Sequence, residues 1–268
     1  MKVLLDLRMV RGHLHGIARY ALELARRLPA LEPSWRFTAL VPRTGLPDDL
    51  GPLTPRLPLL RATSEFLSPL EQGTLTGDLV RARVDLFHAT SFSLPSLWPG
   101  RLVATLHDAN HLALPESASL SRTLYYRLVV GPRARRAQAL ITVSEFSRAE
   151  LATRLGLAPE RLQVISNGVD PSFHVRPQRE LEDFRDRRGL PPRYFAAVGN
   201  TKAFKNLAIL RSIVDALPAP LVLLAGRGAR RALGFGDDVH ELSPLSDEAL
   251  AQFYAAATAV LVPSRYEG

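Results

Sequence analysis

The sequence contains no cysteine, and that absence removes several kinds of chemistry at once. Without thiols the chain has no disulfide, no thiolate nucleophile and no cysteine-ligated zinc site. No apolar run approaches the about 18 residues that would predict a membrane-spanning helix. The opening residues 1–6 place a charge inside a short apolar run, which predicts a first β-strand and no signal peptide. These features fit a cytoplasmic protein.

Lysine is also scarce, because only Lys2, Lys202 and Lys205 among the 34 basic residues are lysine. The net charge of +8 is uneven: residues 1–168 hold 21 basic and 14 acidic residues (+7), and residues 169–268 hold 13 and 12 (+1). A basic first part predicts an anionic partner, or it reflects a compositional preference for arginine. No nucleic-acid partner is expected, because the basic residues are not interleaved with a recognisable reading motif.

At 268 residues and 46% hydrophobic composition, the chain is long enough for two domains with a sizeable core. Apolar strand-like runs alternate with segments of helical period, which predicts an α/β fold with parallel sheets covered on both faces. In the first part, strands are predicted near Lys2–Leu7, Arg36–Val41, Leu57–Arg61, Asp85–Ala89, Leu102–His107, Ala139–Val143 and Leu162–Ser166. Helices are predicted between them near Gly16–Leu28, Ser68–Arg83, Ala118–Ala137 and Ser144–Leu155.

A boundary is predicted after the turn dipeptide Asn167-Gly168, because the following residues are polar, arginine-rich and bracketed by prolines. We therefore expect a domain over 1–168, a linker over 169–192 and a second, partial domain over 193–268. Its predicted elements are Tyr194–Val198, Leu221–Ala225, Val239–Leu242 and Ala259–Val262 as strands, with helices at Asn206–Leu217 and Ser246–Ala257. Doubly wound domains usually need about 100–150 residues, so we expect the sequence to be truncated.

The loop Gly199–Asn206 carries two of the three lysines, Lys202 and Lys205, between a predicted strand and a predicted helix. Backbone amides and the positive end of a helix dipole suit a phosphate at such a junction. A compact ammonium group would neutralise the same anion. The loop is therefore a candidate phosphate site, with a solvated turn bearing surface lysines as the alternative.

Seven short motifs follow one another in a recognisable order. They are Gly16-Ile17-Ala18-Arg19-Tyr20, Thr105-Leu106-His107-Asp108, Ile141 to Ser147, Val164 to Asp170, Val198 to Leu207, Leu245-Ser246-Asp247-Glu248 and Pro263 to Gly268. In this order they resemble the retaining glycosyltransferases of family 4, which have two Rossmann-like domains facing across a cleft (the GT-B architecture). The loop Gly199–Asn206 is most similar to that of bacterial mannosyl- and rhamnosyltransferases that build surface polysaccharides.

The resemblance implies a metal-independent hexosyltransferase that moves a sugar from a nucleotide-sugar donor, such as GDP-mannose, to a glycan or a lipid-linked acceptor. It implies retention of the anomeric configuration by front-face transfer, with no cofactor and no metal ligands. The first domain would hold the acceptor and the second would hold the nucleotide. The alternatives are a sugar-nucleotide epimerase of the same architecture and a non-catalytic nucleotide-binding scaffold.

By the same resemblance, His107, Lys205 and Glu267 are the expected catalytic residues. The expected donor-binding residues are Gly16, Gly199, Asn200, Lys202, Asn206 and Gly268. Many relatives carry arginine where this chain has Asn200, which leaves open whether Lys202 supplies the second charge. Gly16 is alternatively a helix-entry glycine, and His107 alternatively a structural histidine bonded to Asp108 or to backbone. Glu267 matches the first glutamate of a two-glutamate motif whose second member would lie beyond Gly268, so the fragment by itself is expected to be inactive.

The segment Arg122–Arg127 mixes cations with two tyrosines and is followed by Arg133, Arg135 and Arg136. This composition suits an anionic bilayer interface, where aromatic rings sit at headgroup level. The alternative is an amphipathic helix with a solvated basic face. The expected location is the cytoplasm, either in solution or at the inner face of the cell membrane.

Overall fold

The computed structural model describes residues 1–12, 15–47, 50, 53, 57–114 and 120–268. These residues form two compact units. The first contains Met1–Asn167 together with Gly268, and the second contains Gly168–Glu267. In the described residues, no helix is both long enough and apolar enough to cross a membrane.

The first unit is built on a parallel sheet with the strand order β3-β2-β1-β4-β5-β6-β7. Its strands are β1 Lys2–Asp6, β2 Arg36–Val41, β3 Leu59–Arg61, β4 Leu86–Ala89, β5 Arg101–Thr105, β6 Ala139–Thr142 and β7 Leu162–Val164. Its helices are α1 Gly16–Leu31, α2 Glu71–Ala82, α3 Asn110–Ala113, α4 Leu120–Tyr125, α5 Gly131–Arg135 and α6 Glu145–Leu155, with a 3-10 turn at Pro159–Arg161.

Both faces of this sheet are buried. Successive residues of a strand point to opposite faces, and here neighbouring residues belong to two different apolar clusters. Leu5 of β1 and Ala39 of β2 belong to an apolar cluster that includes the buried face of α1. Their neighbours Leu4 and Leu40 belong to a second cluster, to which α2, α5 and α6 contribute. Continuous apolar strands of this kind are typical of parallel sheets covered on both sides.

The second unit has a smaller parallel sheet with the order β10-β9-β8-β11. Its strands are β8 Phe195–Val198, β9 Leu221–Leu224, β10 His240–Glu241 and β11 Ala259–Val260. Its helices are α7 Gln178–Arg188, α8 Ala229–Ala232 and α9 Asp247–Ala256, with 3-10 turns at Ala203–Lys205, Leu207–Ser212 and Val214–Ala216. Ala196 and Ala197 of β8 again face two different apolar clusters.

Two predicted helix starts are confirmed at the level of single hydrogen bonds. Ser144 precedes α6, and its Oγ accepts from the Ser147 amide at 3.0 Å. Ser246 precedes α9, and its Oγ accepts from the Ala249 amide at 3.3 Å. In each case the serine pairs one of the amides that a helix start leaves without an intrahelical partner.

The helix predicted over Ala118–Ala137 differs from the observed structure. Residues 118–119 lie outside the described residues, and a π-helical stretch at Tyr126–Val130 separates α4 from α5. Pro132 lacks a backbone N–H, and its ring clashes with the carbonyl four residues earlier in a regular α-helix. Widening the preceding turn to π geometry relieves that conflict.

The segment 169–192 also differs from the predicted linker. It contains α7, whose Leu181 and Phe184 lie three residues apart on one face and are buried in the core of the second unit. The helix carries few apolar residues among many charged ones, so its composition resembles that of a linker. The buried pair nevertheless makes the segment part of the second unit.

The α-helix predicted over Asn206–Leu217 is wrong, because the segment forms short 3-10 turns. Three β-branched residues, Ile209, Ile213 and Val214, lower its helix propensity. The turns still bury Leu207 and Leu210 against the sheet. The loop before them therefore has no α-helix N-terminus next to it.

Candidate active site

The candidate site in the second unit lies where two neighbouring strands end. β11 pairs with β8 in parallel register, Ala259 opposite Phe195 and Val260 opposite Ala196. The chain leaves β8 into the loop Gly199–Asn206 and leaves β11 into the segment Pro263–Glu267. Because parallel neighbours end at the same edge of a sheet, the two segments meet there, at the position where ligands bind in open α/β sheets.

An ion pair joins these two segments. Lys205 Nζ lies 2.6 Å from Glu267 Oε1, and the side chains are 24% and 50% exposed. The two residues are 62 positions apart in the sequence. Two expected catalytic residues are thus in direct contact in the second unit, both partly open to solvent.

Two hydrogen bonds, one from a side chain and one from the backbone, hold the loop Gly199–Asn206 against the segment Pro263–Glu267. Asn206 adopts a left-handed backbone conformation with φ of 52° and donates from Nδ2 to the Pro263 carbonyl at 3.1 Å. The Arg265 amide donates to the Phe204 carbonyl at 2.8 Å. Left-handed geometry is tolerated best by glycine and asparagine, so Asn206 supplies both the turn and the cross-link.

The second lysine lies beside the first. Lys202 Nζ and Lys205 Nζ lie 6.0 Å and 5.5 Å from the centre of the Phe204 ring. The Asn200 side chain accepts a hydrogen bond from the Lys202 backbone amide at 3.0 Å, which closes the turn over residues 200–202. Gly199 is tightly packed, since a Cβ there would lie 3.3 Å from Leu207. The loop therefore presents two ammonium groups on one aromatic ring.

His107 lies in the first unit, two residues after β5. Its Nε2 lies 3.0 Å from the Thr90 carbonyl, and because a carbonyl only accepts, Nε2 carries the proton. The ring meets Tyr20 edge-on, with 4.8 Å between centroids. Burial lowers the pKa of His107 by more than the Thr90 bond and Asp108 raise it. In the neutral ring, the lone pair on Nδ1 is able to accept a hydrogen bond. The predicted bond to backbone is observed, while Asp108 accepts from the Asn110 amide.

A second histidine supports this arrangement from inside the sheet. His88 is buried at 7% exposure, and its Nε2 lies 3.0 Å from Thr105 Oγ1. Thr105 Oγ1 also lies 2.9 Å from the Tyr20 hydroxyl. Burial lowers the pKa of His88 to about 4, with the Asp6 carboxylate opposing it and the neighbouring His107 acting in the same direction as burial. The contacts thus run from the buried neutral His88 through Thr105 to Tyr20, whose ring packs against His107.

A buried ionic network follows β1 and was not predicted from the sequence. Arg8 is 2% exposed and donates from Nε and Nη2 to the two carboxylate oxygens of Asp6 at 2.8 and 2.7 Å. Its Nη1 donates to Glu71 Oε1 at 2.7 Å, and Ser93 Oγ donates to the same oxygen at 2.7 Å. Burial lowers the pKa of Arg8, but Asp6 and Glu71 together raise it by more than burial lowers it. The guanidinium therefore stays charged. The only sequence signal was an acid and an arginine two residues apart at a strand end.

The remaining predicted residues lie in the first unit. Gly16 is exposed and is the first residue of α1, and a Cβ there would meet no atom within 4 Å. It is therefore a glycine at the start of a helix, with open space beside it. Its donor-binding role stays a prediction. Gly268 groups with the first unit. Among the described residues, no group of three or more histidines and carboxylates could hold a metal ion.

Comparison with known proteins gives a family match over more than half of the chain. The model of Glycosyltransferase Family 4 matches residues 14–173. The O-antigen chain mannosyltransferase B of Escherichia coli is 26% identical over an alignment of 305 residues, which covers 100% of this chain and 77% of that protein. The MMP alpha-(1->4)-mannosyltransferase of Mycolicibacterium hassiacum is 31% identical over 147 residues, 50% of this chain and 33% of that protein.

Among solved structures, Anabaena Alr3699/HepE in complex with UDP and glucose is similar, with a TM-score of 0.73 and 19% identity. The match covers 98% of this chain and 74% of that one. At this identity the likeness concerns the fold. It confirms the predicted fold class, α/β with two Rossmann-like units of the GT-B type.

Proposed function

The chain belongs to glycosyltransferase family 4, and from that premise we propose that it transfers a mannosyl group from a nucleoside-diphosphate sugar to a growing surface glycan. The protein is a hexosyltransferase by its family and its relatives. Two mannosyltransferases among those relatives support mannose as the sugar and GDP-mannose as the donor. O-antigen synthesis by one of them supports a glycan or lipid-linked acceptor.

The observation that carries this proposal is the contact between Lys205 and Glu267 at the carboxyl end of β8 and β11. Transfer breaks the bond between the sugar C1 and a phosphate oxygen, and the leaving diphosphate gains negative charge. Fixed cations and amides lower the barrier when they are directed at that charge. Lys205 would neutralise the departing phosphate, with Lys202 as a second charge beside it.

Glu267 has a different part in the proposed mechanism. Its carboxylate holds the Lys205 ammonium before the donor binds, which limits the freedom of a flexible side chain. A diphosphate entering the loop would draw the ammonium towards itself. The carboxylate would then be free to accept hydrogen bonds from hydroxyl groups of the donor sugar.

The proposed reaction balances without a cofactor. The C1–phosphate oxygen bond breaks as the acceptor oxygen bonds to C1 on the same face. The acceptor hydroxyl proton passes to an oxygen of the leaving phosphate. His107 would accept a hydrogen bond at Nδ1 from a sugar hydroxyl, which orients the ring at the reacting centre and transfers no proton.

The test is sugar transfer by the full-length protein from GDP-mannose, UDP-glucose and dTDP-rhamnose, with K205A beside the wild type. We expect GDP-mannose to be the best donor and K205A to lose about 100- to 1,000-fold in kcat/KM. Because the ion pair is half open to solvent, we expect its loss to cost less than about 1 kcal/mol of stability. K2A, which removes the remaining lysine, is the matched control and should keep full activity. A kcat/KM of K205A within threefold of the wild type would exclude Lys205 from the proposed mechanism. Transfer from UDP-glucose alone would exclude GDP-mannose as the donor.

The first unit also carries features that support attachment to a membrane. Leu120, Leu124 and Leu128 recur at intervals of four residues and are 77%, 46% and 69% exposed. Arg122 and Arg127 are exposed along the same stretch. An exposed apolar row with flanking cations suits the interface of an anionic bilayer. We therefore propose that the enzyme works at the inner face of the cell membrane, where a lipid-linked acceptor is available.

Sedimentation with phosphatidylglycerol vesicles tests this attachment. We expect the double variant L124S/L128S to bind vesicles at least about tenfold more weakly, because two exposed leucines no longer enter the interface. L31S removes a comparably exposed leucine at the end of α1 and serves as the control. Equal binding by all three proteins would argue against the apolar row.

A further inference from the structure

A polar cavity lies at the amino ends of β5 and β6, on the edge of the sheet opposite His107. Its volume is about 440 Å³, which lies within the about 300–1,000 Å³ usual for small-molecule sites. Arg101, the first residue of β5, lines it together with Arg133 and Arg136 of the α5 region. No carboxylate is among its lining residues.

Arg133 is fixed in place by the backbone around the cavity. It is 8% exposed, and its Nε and Nη2 donate to the Pro95 and Gly100 carbonyls, each at 3.0 Å. Within the described part of the chain, Nη1 donates to no protein acceptor. Burial and then the charge of Arg136 lower the pKa of Arg133. The guanidinium is thus held rigidly, with a donor available and no negative charge to offset it.

The other two arginines are free to turn towards a ligand. Arg101 and Arg136 are exposed, and neither makes an ion pair or a side-chain hydrogen bond with any residue that the structure describes. Several other arginines of the first unit differ, because Arg8, Arg11, Arg26 and Arg148 pair with carboxylates. Three guanidinium groups around one cavity repel one another until an anion enters.

We propose that this arginine pocket, formed by Arg101, Arg133 and Arg136, binds a phosphate group. Guanidinium forks match phosphate oxygens in pairs, and charge-assisted bonds of this kind are among the strongest in proteins. The phosphate comes either from a free anion in solution or from the headgroup of an anionic lipid. The site is distinct from the proposed diphosphate site of the donor, which depends on Lys205 in the second unit.

Trp98 supplies a local reporter for this site. It lines the pocket, is 6% exposed, and packs so closely on Gly100 that a Cβ there would lie 2.2 Å from its ring. Trp35 is the other tryptophan of the sequence. In a W35F background the emission of the protein therefore comes from Trp98 alone, and the signal does not respond directly to binding at Lys205.

The experiment titrates this full-chain protein with inorganic phosphate and, separately, with glycerophosphoglycerol, the water-soluble headgroup of phosphatidylglycerol. Chloride keeps the ionic strength constant. We expect a saturable change in Trp98 emission, shifted at least about tenfold to higher concentration in R101Q/R136Q, because each lost charge-assisted contact is worth about tenfold or more. R43Q/R83Q removes two exposed arginines outside the pocket and should titrate like the parent.

The two probes separate the sources of the phosphate. Saturation at lower concentration with inorganic phosphate indicates a free anion, and the reverse indicates a lipid headgroup. Both results support the pocket, provided that R101Q/R136Q weakens the response. The absence of a saturable response to either probe, or equal responses in R101Q/R136Q and R43Q/R83Q, would overturn the proposal. Neither outcome bears on sugar transfer, which is assayed through Lys205.

Discussion

The buried histidine His88, which contacts Thr105 in the first unit, leads to a quantitative prediction. His88 is neutral in the folded first unit because burial lowers its pKa to about 4 from an ordinary value of 6.5. Between those pH values the unfolded chain binds a proton that the folded chain does not. Stability therefore rises with pH in this range, is fully present above pH 6.5 and is lost as the pH falls towards 4.

The size of the effect follows from the two pKa values. At about 1.4 kcal/mol per pH unit, the difference between 6.5 and about 4 corresponds to about 3 kcal/mol. About 2 kcal/mol of this is lost by pH 5. Other groups also titrate in this range, so the prediction concerns the difference between the wild type and H88Q. Glutamine keeps a polar atom near Thr105 but does not titrate.

Urea unfolding followed by tryptophan emission measures this difference. Trp35 and Trp98 both lie in the first unit, so the signal reports that unit alone. We expect the wild type to lose about 2 kcal/mol more than H88Q between pH 7.5 and pH 5. H174Q, a change at an exposed histidine of the second unit, should follow the wild type. Parallel curves for the wild type and H88Q would refute the assignment of a neutral buried His88.

Two further substitutions test the network and the loop. E71Q leaves the buried charge of Arg8 partly uncompensated, so we expect a loss of about 3 kcal/mol in the same urea assay. E65Q breaks the exposed pair with Arg11 and should cost less than about 1 kcal/mol; equal losses would contradict the role of burial. N206A loses the hydrogen bond from the Asn206 side chain to the Pro263 carbonyl and leaves alanine in a strained left-handed conformation. We therefore expect a loss of about 1–2 kcal/mol in the free energy of unfolding, measured in thermal melts followed by far-ultraviolet circular dichroism. N206G, which suits that backbone, should cost less, and an equal cost would remove the strain argument.

Much of the fold could be predicted from the sequence because its signals are local. A parallel strand buried on both faces is a short apolar run, and Ser144 and Ser246 mark helix starts through bonds to residues three positions away. The break at Tyr126–Val130 required knowing how a helix adjusts before Pro132. The helix α7 was missed because two buried residues, unlike a long apolar face, leave a weak pattern among many charges.

The sequence by itself determined the succession of strands along the chain, the two capping serines and the concentration of lysine in one loop, since each depends on neighbours along the chain. Only the tertiary structure decided that Lys205 meets Glu267, that Arg8 is buried between two carboxylates and that three arginines share one cavity. These contacts join residues from separate strands and helices. Strand order and register bring them together, and no local pattern encodes that convergence.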